Sequence, residues 1–503
     1  MPRTLFLTGH KLTRRDYYEV VLEGRRVALA PRARRAMQRS RHLVEKMMAE
    51  KQVVYGVTTG VGSLSTARIE PAQARQLQLN VVRSHACGVG EPLGVAPTRG
   101  LLLLRAHTLA MGYSGVRPAV AGLLCAFLNH GVHPVVPARG SVGASGDLAP
   151  LAHVALALVG EGEVTFGGRR MATRAALHKL GLEPLVLQAK EGLSLVNGTQ
   201  AMLSLGLLSL RDAEVLVDTA DVAASLSLDA LRGSRRAFDA RLQNVRPHPG
   251  QAVTARNVWR LNQGSTIRES HRDCGRVQDA YSLRCVPQVH GAVRDALAYA
   301  RSVFEIEMNS ATDNPLVFVR EGEVISGGNF HGQPLATALD LMAIALTQLG
   351  GVSERRIDRM VNPLTSELPP FLTREAGLES GFMLAQVTAA ALASENKTRA
   401  HPASVDSIPT SGNKEDYVSM GMTAALKLHQ ILDNVTRILA IELLAASQAI
   451  DLLAPLRTGH RAAKAKDLVR AVSPRVTQDR ALYGDIAEVA ELVRRGQIAR
   501  ILA

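Results

Sequence analysis

Leu335-Ala336-Thr337-Ala338-Leu339-Asp340-Leu341-Met342-Ala343-Ile344-Ala345-Leu346 is apolar on nearly every helical face. A helix of that composition has no side to give to water, so it belongs inside a packed bundle. Comparable helical runs are expected over Leu101 to Met111, Ala201 to Leu231, Val289 to Ser310, Pro334 to Met360, Gly377 to Lys397 and Met420 to Leu453. A helix of about 30 residues reaches roughly 45 Å, more than a small compact domain needs. The expectation is therefore a mainly α protein, an elongated bundle of long helices, with association between copies covering apolar surface that remains.

The first hundred residues read differently. The β-like run Gln52-Val53-Val54-Tyr55 stands near a helical pattern over Arg35 to Glu50. Glycines punctuate Gly56-Val57-Thr58-Thr59-Gly60-Val61-Gly62, as tight turns require. We divide the chain into a smaller mixed N-terminal part, 1–105, and a helical bundle part, 106–503. There is no internal repeat and no low-complexity linker.

The 503 residues carry a formal charge of +14. Nucleic-acid binders usually gather their basic residues on one stripe or tail. Here arginine is dispersed among acids, apart from a modest cluster at Arg32, Arg34, Arg35, Arg39 and Arg41, so a solvated basic surface is the better reading. Cys87, Cys125, Cys274 and Cys285 form no C-x-x-C pair and suit a reducing compartment. Met1 to Asp16 lacks the apolar core of a secretory signal, and no run of about 18 uncharged apolar residues suggests a membrane span. The expected location is the cytoplasm.

Chemistry concentrates in Gly140-Ser141-Val142-Gly143-Ala144-Ser145-Gly146-Asp147-Leu148-Ala149-Pro150. A serine nucleophile elbow needs G-x-S-x-G, and Asp147 breaks that pattern by one residue. Internal cyclisation is the other reading. In a tightly bent loop the Gly146 nitrogen can approach the Ala144 carbonyl carbon, because glycine has no Cβ to block it. Loss of water closes a five-membered ring. Loss of a second water, from Ser145, leaves an exocyclic methylidene, an electron-poor alkene that no ordinary side chain supplies. An ordinary glycine-rich turn into a helix is the alternative when the triplet is taken alone.

The surrounding sequence resembles the histidine and aromatic amino acid ammonia-lyase family. The resemblance includes Gly140 to Leu151 with Ala155 to Gly162, Tyr55-Gly56-Val57-Thr58-Thr59-Gly60, Arg83 to Gly90 and Leu195-Val196-Asn197-Gly198-Thr199-Gln200. It continues through Gln278 to Arg284, Asn309 to Pro315, Gly328-Asn329-Phe330-His331-Gly332 and Glu415 to Gly421, in family order from about residue 50 to 450. The resemblance implies that Ala144-Ser145-Gly146 becomes a 4-methylideneimidazole-5-one group and that no external cofactor is needed. It also implies a homotetramer whose active sites combine loops of several subunits.

Residue roles follow from the same resemblance. Tyr55 matches the base that takes the β-proton; free tyrosine ionises near 10, so such a base needs a polarising site. Arg284 matches the residue that grips the substrate carboxylate, for which a guanidinium offers two parallel hydrogen bonds. Tyr281 lies one helical turn before it. Asn197, Gln278 and Asn329 match polar residues of the site, and Phe330 an apolar wall. His85, after Ser84, and Glu415 match the histidine-specific branch, and a histidine with a carboxylate suits an imidazole, which both donates and accepts. Elimination of ammonia from L-histidine to trans-urocanate is the expected reaction.

Other features point along a neighbouring branch. Thr58 stands where histidine lyases usually have asparagine, and Gly332-Gln333-Pro334 resembles the aminomutases. Lys414 replaces a frequent glutamine and Tyr417 a frequent histidine. A tyrosine ammonia-lyase or tyrosine 2,3-aminomutase therefore stays open, as does, more remotely, an inactive helical scaffold. His130 and His133 lack a third ligand at zinc spacing, and Gly56 to Gly62 lacks the Gly-Lys-Ser/Thr ending of a phosphate loop. No metal is expected.

Overall fold

The computed structural model describes residues 4–503; Met1 to Arg3, part of the stretch read for a leader, lie outside them. Nineteen α-helices run among the described residues, with only short strands between them, so the chain is mainly α as expected.

The stretch that opened the reading lies in a helix over Gln333–Val361. Leu335, Ala336, Leu339, Met342, Ala343 and Leu346 are all fully buried. By length and composition this helix could cross a membrane, yet 61% of its most apolar window is buried within the protein, as a core helix requires. Its one acid in the quoted stretch, Asp340, meets Lys427 at 2.5 Å.

Five other expected helices form at Val95–Ala110, Gln200–Ala230, Val286–Glu307, Met383–Arg399 and Gly421–Leu452. The one expected from Gly377 starts six residues later, because Gly377 and Gly381 take φ of +105° and +51°, outside helical geometry. Gln52 to Tyr55 is not a strand: the segment pairs with no neighbour and runs into successive turns. Thr58 explains this, since its hydroxyl donates to the Gln52 carbonyl at 2.8 Å and accepts the Val54 N–H at 2.9 Å. A segment of strand composition is thus folded back on itself.

The N-terminal strands Leu5–Leu7 and Val27–Leu29 pair in parallel, Leu5 opposite Val27. Val89–Pro92 pairs antiparallel with Pro137–Arg139, which delivers the chain to the Gly140 loop. A three-stranded sheet joins His133–Pro134, Glu163–Phe166 and Arg169–Ala172.

Contacts divide the chain into two compact units. One contains residues 1–208, 301–339 and 402–426; the other contains 209–300, 340–401 and 427–503. Residue 105, where composition suggested a boundary, lies inside the helix Val95–Ala110 of the first unit. The second unit is organised around buried charge. Glu442 accepts Arg356 Nε at 2.5 Å and Nη2 at 2.9 Å, with both side chains fully buried. Ser227 and Ser353 donate to the same carboxylate at 2.7 and 2.5 Å. Every oxygen lone-pair direction thus meets a donor, the condition under which a buried pair is tolerated.

Candidate active site

The Ala144-Ser145-Gly146 loop joins the strand Pro137–Arg139 to the helix Leu148–Leu158 in the first unit. Gly146 takes φ +76°, and a Cβ there would meet the Gly198 oxygen at 2.1 Å. Gly143 takes φ +70°, and its Cβ would meet Ser419 Oγ at 2.1 Å. Both positions therefore demand glycine. Gly198 grips the loop on both sides of Gly146: its N–H donates to the Ser145 oxygen at 3.3 Å, and its carbonyl accepts the Asp147 N–H at 2.6 Å. On the other flank, Ser419 Oγ donates to the Gly143 oxygen at 3.0 Å and the Met420 N–H donates to the Val142 oxygen at 2.8 Å. Ala144, Val418 and Met420 form a small apolar cluster beneath.

Ser145 Oγ donates to Glu415 Oε1 at 3.0 Å. Glu415 is held from behind, its Oε2 accepting Thr410 Oγ1 at 2.8 Å and Ser411 Oγ at 2.9 Å. The adjacent Lys414 is exposed, and neither residue is helical, since the next helix begins only at Gly421. Glu415 belongs to an irregular loop bridged between Thr410 and Glu415.

Asn197 ends the short helix Glu191–Val196, and its Nδ2 donates to the Asn314 carbonyl at 3.0 Å. Tyr55 Oη accepts the Gly62 N–H at 2.8 Å across its glycine turn. His85 ends the helix Ala74–His85 with Nδ1 3.1 Å from Ser84 Oγ. Asn329 is exposed and donates to the Ala311 carbonyl at 3.4 Å, while Phe330 is half-buried. His331 stacks on Tyr417, ring centres 6.3 Å apart. Gly332 packs so closely that a Cβ would meet Met202 Sδ at 2.7 Å and Ser419 Oγ at 2.8 Å.

Gln278, Tyr281 and Arg284 belong to the second unit. Gln278 and Tyr281 are exposed, Tyr281 by 71%. The Arg284 guanidinium lies 4.6 Å from the Tyr281 ring centre, and its buried Nε has no hydrogen-bond partner. The structure thus joins Ser145 directly to Glu415 and places Asn197 next to the gripping Gly198; it makes no direct contact between these and Tyr55 or His85 among the described hydrogen bonds.

Residue-by-residue reading missed Asp147. It is fully buried, with Oδ2 accepting the Ala201 and Met202 N–H groups at 2.8 and 2.9 Å, at the start of a long helix. Burial pushes its carboxyl up to about 7, and nearby Glu307 is also raised by burial. A folded-state value above the unfolded one means stability present below about pH 4 is lost as pH rises through about 7. Comparing melting of the parent with Asp147→Asn between pH 4 and 8 should therefore show the parent losing more stability as pH rises. Parallel curves would contradict this.

The family description aromatic amino acid lyase matches residues 12–471. The chain belongs to the aromatic amino acid lyase family. Histidine ammonia-lyase of Koribacter versatilis (strain Ellin345) is 57% identical over 510 residues, covering 99% of each chain. The crystal structure of histidine ammonia-lyase from Trypanosoma cruzi superposes with a TM-score of 0.92 at 42% identity, covering 99% of this chain and 95% of that one. Tyrosine aminomutase from Streptomyces globisporus superposes at 0.94 with 40% identity, covering 99% and 98%. This aromatic amino acid lyase is a carbon–nitrogen lyase, and its helical architecture is that of the family.

Proposed function

We propose that the chain eliminates ammonia from L-histidine to give trans-urocanate, using an electrophile formed from Ala144, Ser145 and Gly146. The observation that carries the reading is the Ser145–Glu415 contact, with Glu415 braced by two hydroxyl donors. The loop fits ring closure: Gly143 and Gly146 have no room for side chains, and Gly198 holds the peptide on both sides of Gly146. Once formed, a methylideneimidazolone group would supply an electron-poor alkene carbon that makes the substrate amine a better leaving group.

The chain's own residues do the rest. Tyr55 takes the β-proton, and the Gly62 N–H on its oxygen is a donor that strengthens as charge develops there. Arg284 grips the carboxylate through its guanidinium, with Tyr281 stacked against it. Asn197, Gln278, Asn329 and Phe330 line the site. His85 and Glu415 flank the imidazole, one able to donate and the other to accept. The exposure of Gln278 and Tyr281 in a single chain supports completion of the site by further copies, as a homotetramer. Four free cysteines support the cytoplasm.

A tyrosine lyase or tyrosine 2,3-aminomutase is the second reading, favoured by Thr58, by Gly332-Gln333-Pro334 and by the likeness to a tyrosine aminomutase. Thr58 bonds its own loop, which weakens it as a substrate determinant. Incubation with L-histidine and, separately, L-tyrosine distinguishes the two by ultraviolet absorbance of the conjugated acid. Histidine alone should yield it. A β-amino acid from tyrosine with no urocanate would overturn the assignment, and no turnover of either would favour a scaffold.

A further inference from the structure

The helix Val95–Ala110 carries a buried cation directly after an apolar run: Arg105 follows Leu101-Leu102-Leu103-Leu104 and is fully buried. Burying a guanidinium is costly unless it is paired and hydrogen-bonded. Arg105 is only partly so. Its Nε and Nη2 find no partner among the described residues, and the nearby Asp313 is already engaged by Lys190 at 3.3 Å. Retaining it there calls for a task that a leucine could not perform.

Its bonded nitrogen indicates the task. Arg105 Nη1 donates to the Asn197 carbonyl at 2.5 Å and to Gln200 Oε1 at 3.2 Å. Asn197 is where the helix Glu191–Val196 stops and the backbone turns extended, at φ −84° and ψ 126°. Terminal carbonyls of a helix need outside donors, and a cation suits that end. The next residue, Gly198, takes φ +142°, and a Cβ on it would sit 2.7 Å from Arg105 Nη1. The guanidinium therefore presses directly against the glycine that grips Ser145 and Asp147.

We propose that Arg105 is a positioning residue for ring closure at Ala144-Ser145-Gly146, acting through Asn197 and Gly198; the proposal rests on the prosthetic-group reading above. In that closure the Gly146 nitrogen bonds to the Ala144 carbonyl carbon, and its proton passes to the Ala144 oxygen. The resulting hydroxyl leaves with the Ser145 N–H proton as one water. The Ser145 Oγ leaves with its own proton and the Cα proton as the second, creating the Cα–Cβ double bond. No oxidant or reductant is required. The step depends on holding two backbone atoms closer than packing alone would, and Gly198 supplies that hold from both sides of Gly146.

The test follows intact-chain mass with time after synthesis in the parent, Arg105→Met and Arg105→Lys, alongside thermal melting. Arg105→Met keeps the volume and removes the donors. It should close about a hundredfold more slowly, the scale of a misplacement of about 1 Å. Arg105→Lys should recover part of the rate, since an ammonium reaches one of the two acceptors well. Closure at the parental rate in Arg105→Met, whatever its melting point, would overturn the role. If Arg105→Met does not fold, Arg105→Lys decides: slower closure with parental melting supports the role, and parental closure overturns it. A parent chain that itself keeps full mass would remove the prosthetic-group reading and this proposal together, whereas variants that dehydrate as fast as a dehydrating parent remove only the role of Arg105.

Discussion

Replacing Ser145 with alanine should abolish ammonia release while leaving the helices folded. The serine oxygen is the group lost as the second water, and alanine has nothing to lose, so no alkene can form. Turnover should fall by roughly three orders of magnitude or more, the scale seen when a reacting group is removed. The structural cost is small. Ser145 is half-buried, and Glu415 keeps Thr410 and Ser411 as donors when the Ser145 hydrogen bond is gone. One hydrogen bond of that kind contributes about 1 kcal/mol. Circular dichroism and melting should match the parent closely. Retained turnover in Ser145→Ala would contradict the mechanism, whereas loss of both fold and turnover would leave the serine's chemical part to be read from a Ser145→Cys variant, which can still eliminate.

The largest stability effect is expected elsewhere, at Glu442→Ala in the second unit. That change strands the Arg356 guanidinium, fully buried, with His290 Nε2 at 3.4 Å as its main remaining side-chain neighbour. It also removes the acceptor for Ser227 and Ser353. Breaking one half of a buried pair costs about 3–5 kcal/mol, because the surviving charge has nowhere to be solvated. The denaturant midpoint, read at fixed protein concentration, should fall accordingly. Replacing both members with apolar residues, Arg356→Met with Glu442→Leu, should recover much of the loss, since no charge is then left unpaired. A double variant as weak as the single one would mean that the pair stabilises by specific geometry rather than by mutual compensation.

The sequence was most legible where one physical requirement dominated. Leu335 to Leu346 had to be a buried helix because no face was polar, and it is. The Gly140–Pro150 loop was legible because small residues crowd it, and Gly143 and Gly146 indeed have no room for a Cβ. Local hydrogen bonding was harder to read. Gln52 to Tyr55 has strand composition, but Thr58 captures its backbone and folds it into turns. Glu415 was legible only through the family resemblance, because its place depends on hydroxyls at Thr410 and Ser411. Asp147 and Arg105 were passed over because their importance lies in contacts 54 and 92 residues away along the chain. No periodicity or short spacing records contacts of that range.

The central claim concerns the covalent state of one loop. Trypsin cuts after Arg139 and Arg169, releasing Gly140–Arg169 with the tripeptide inside. Mass spectrometry of that peptide, taken from protein that is turning over L-histidine, should find it lighter by two waters than its sequence requires. A peptide of full mass from equally active protein would contradict the account.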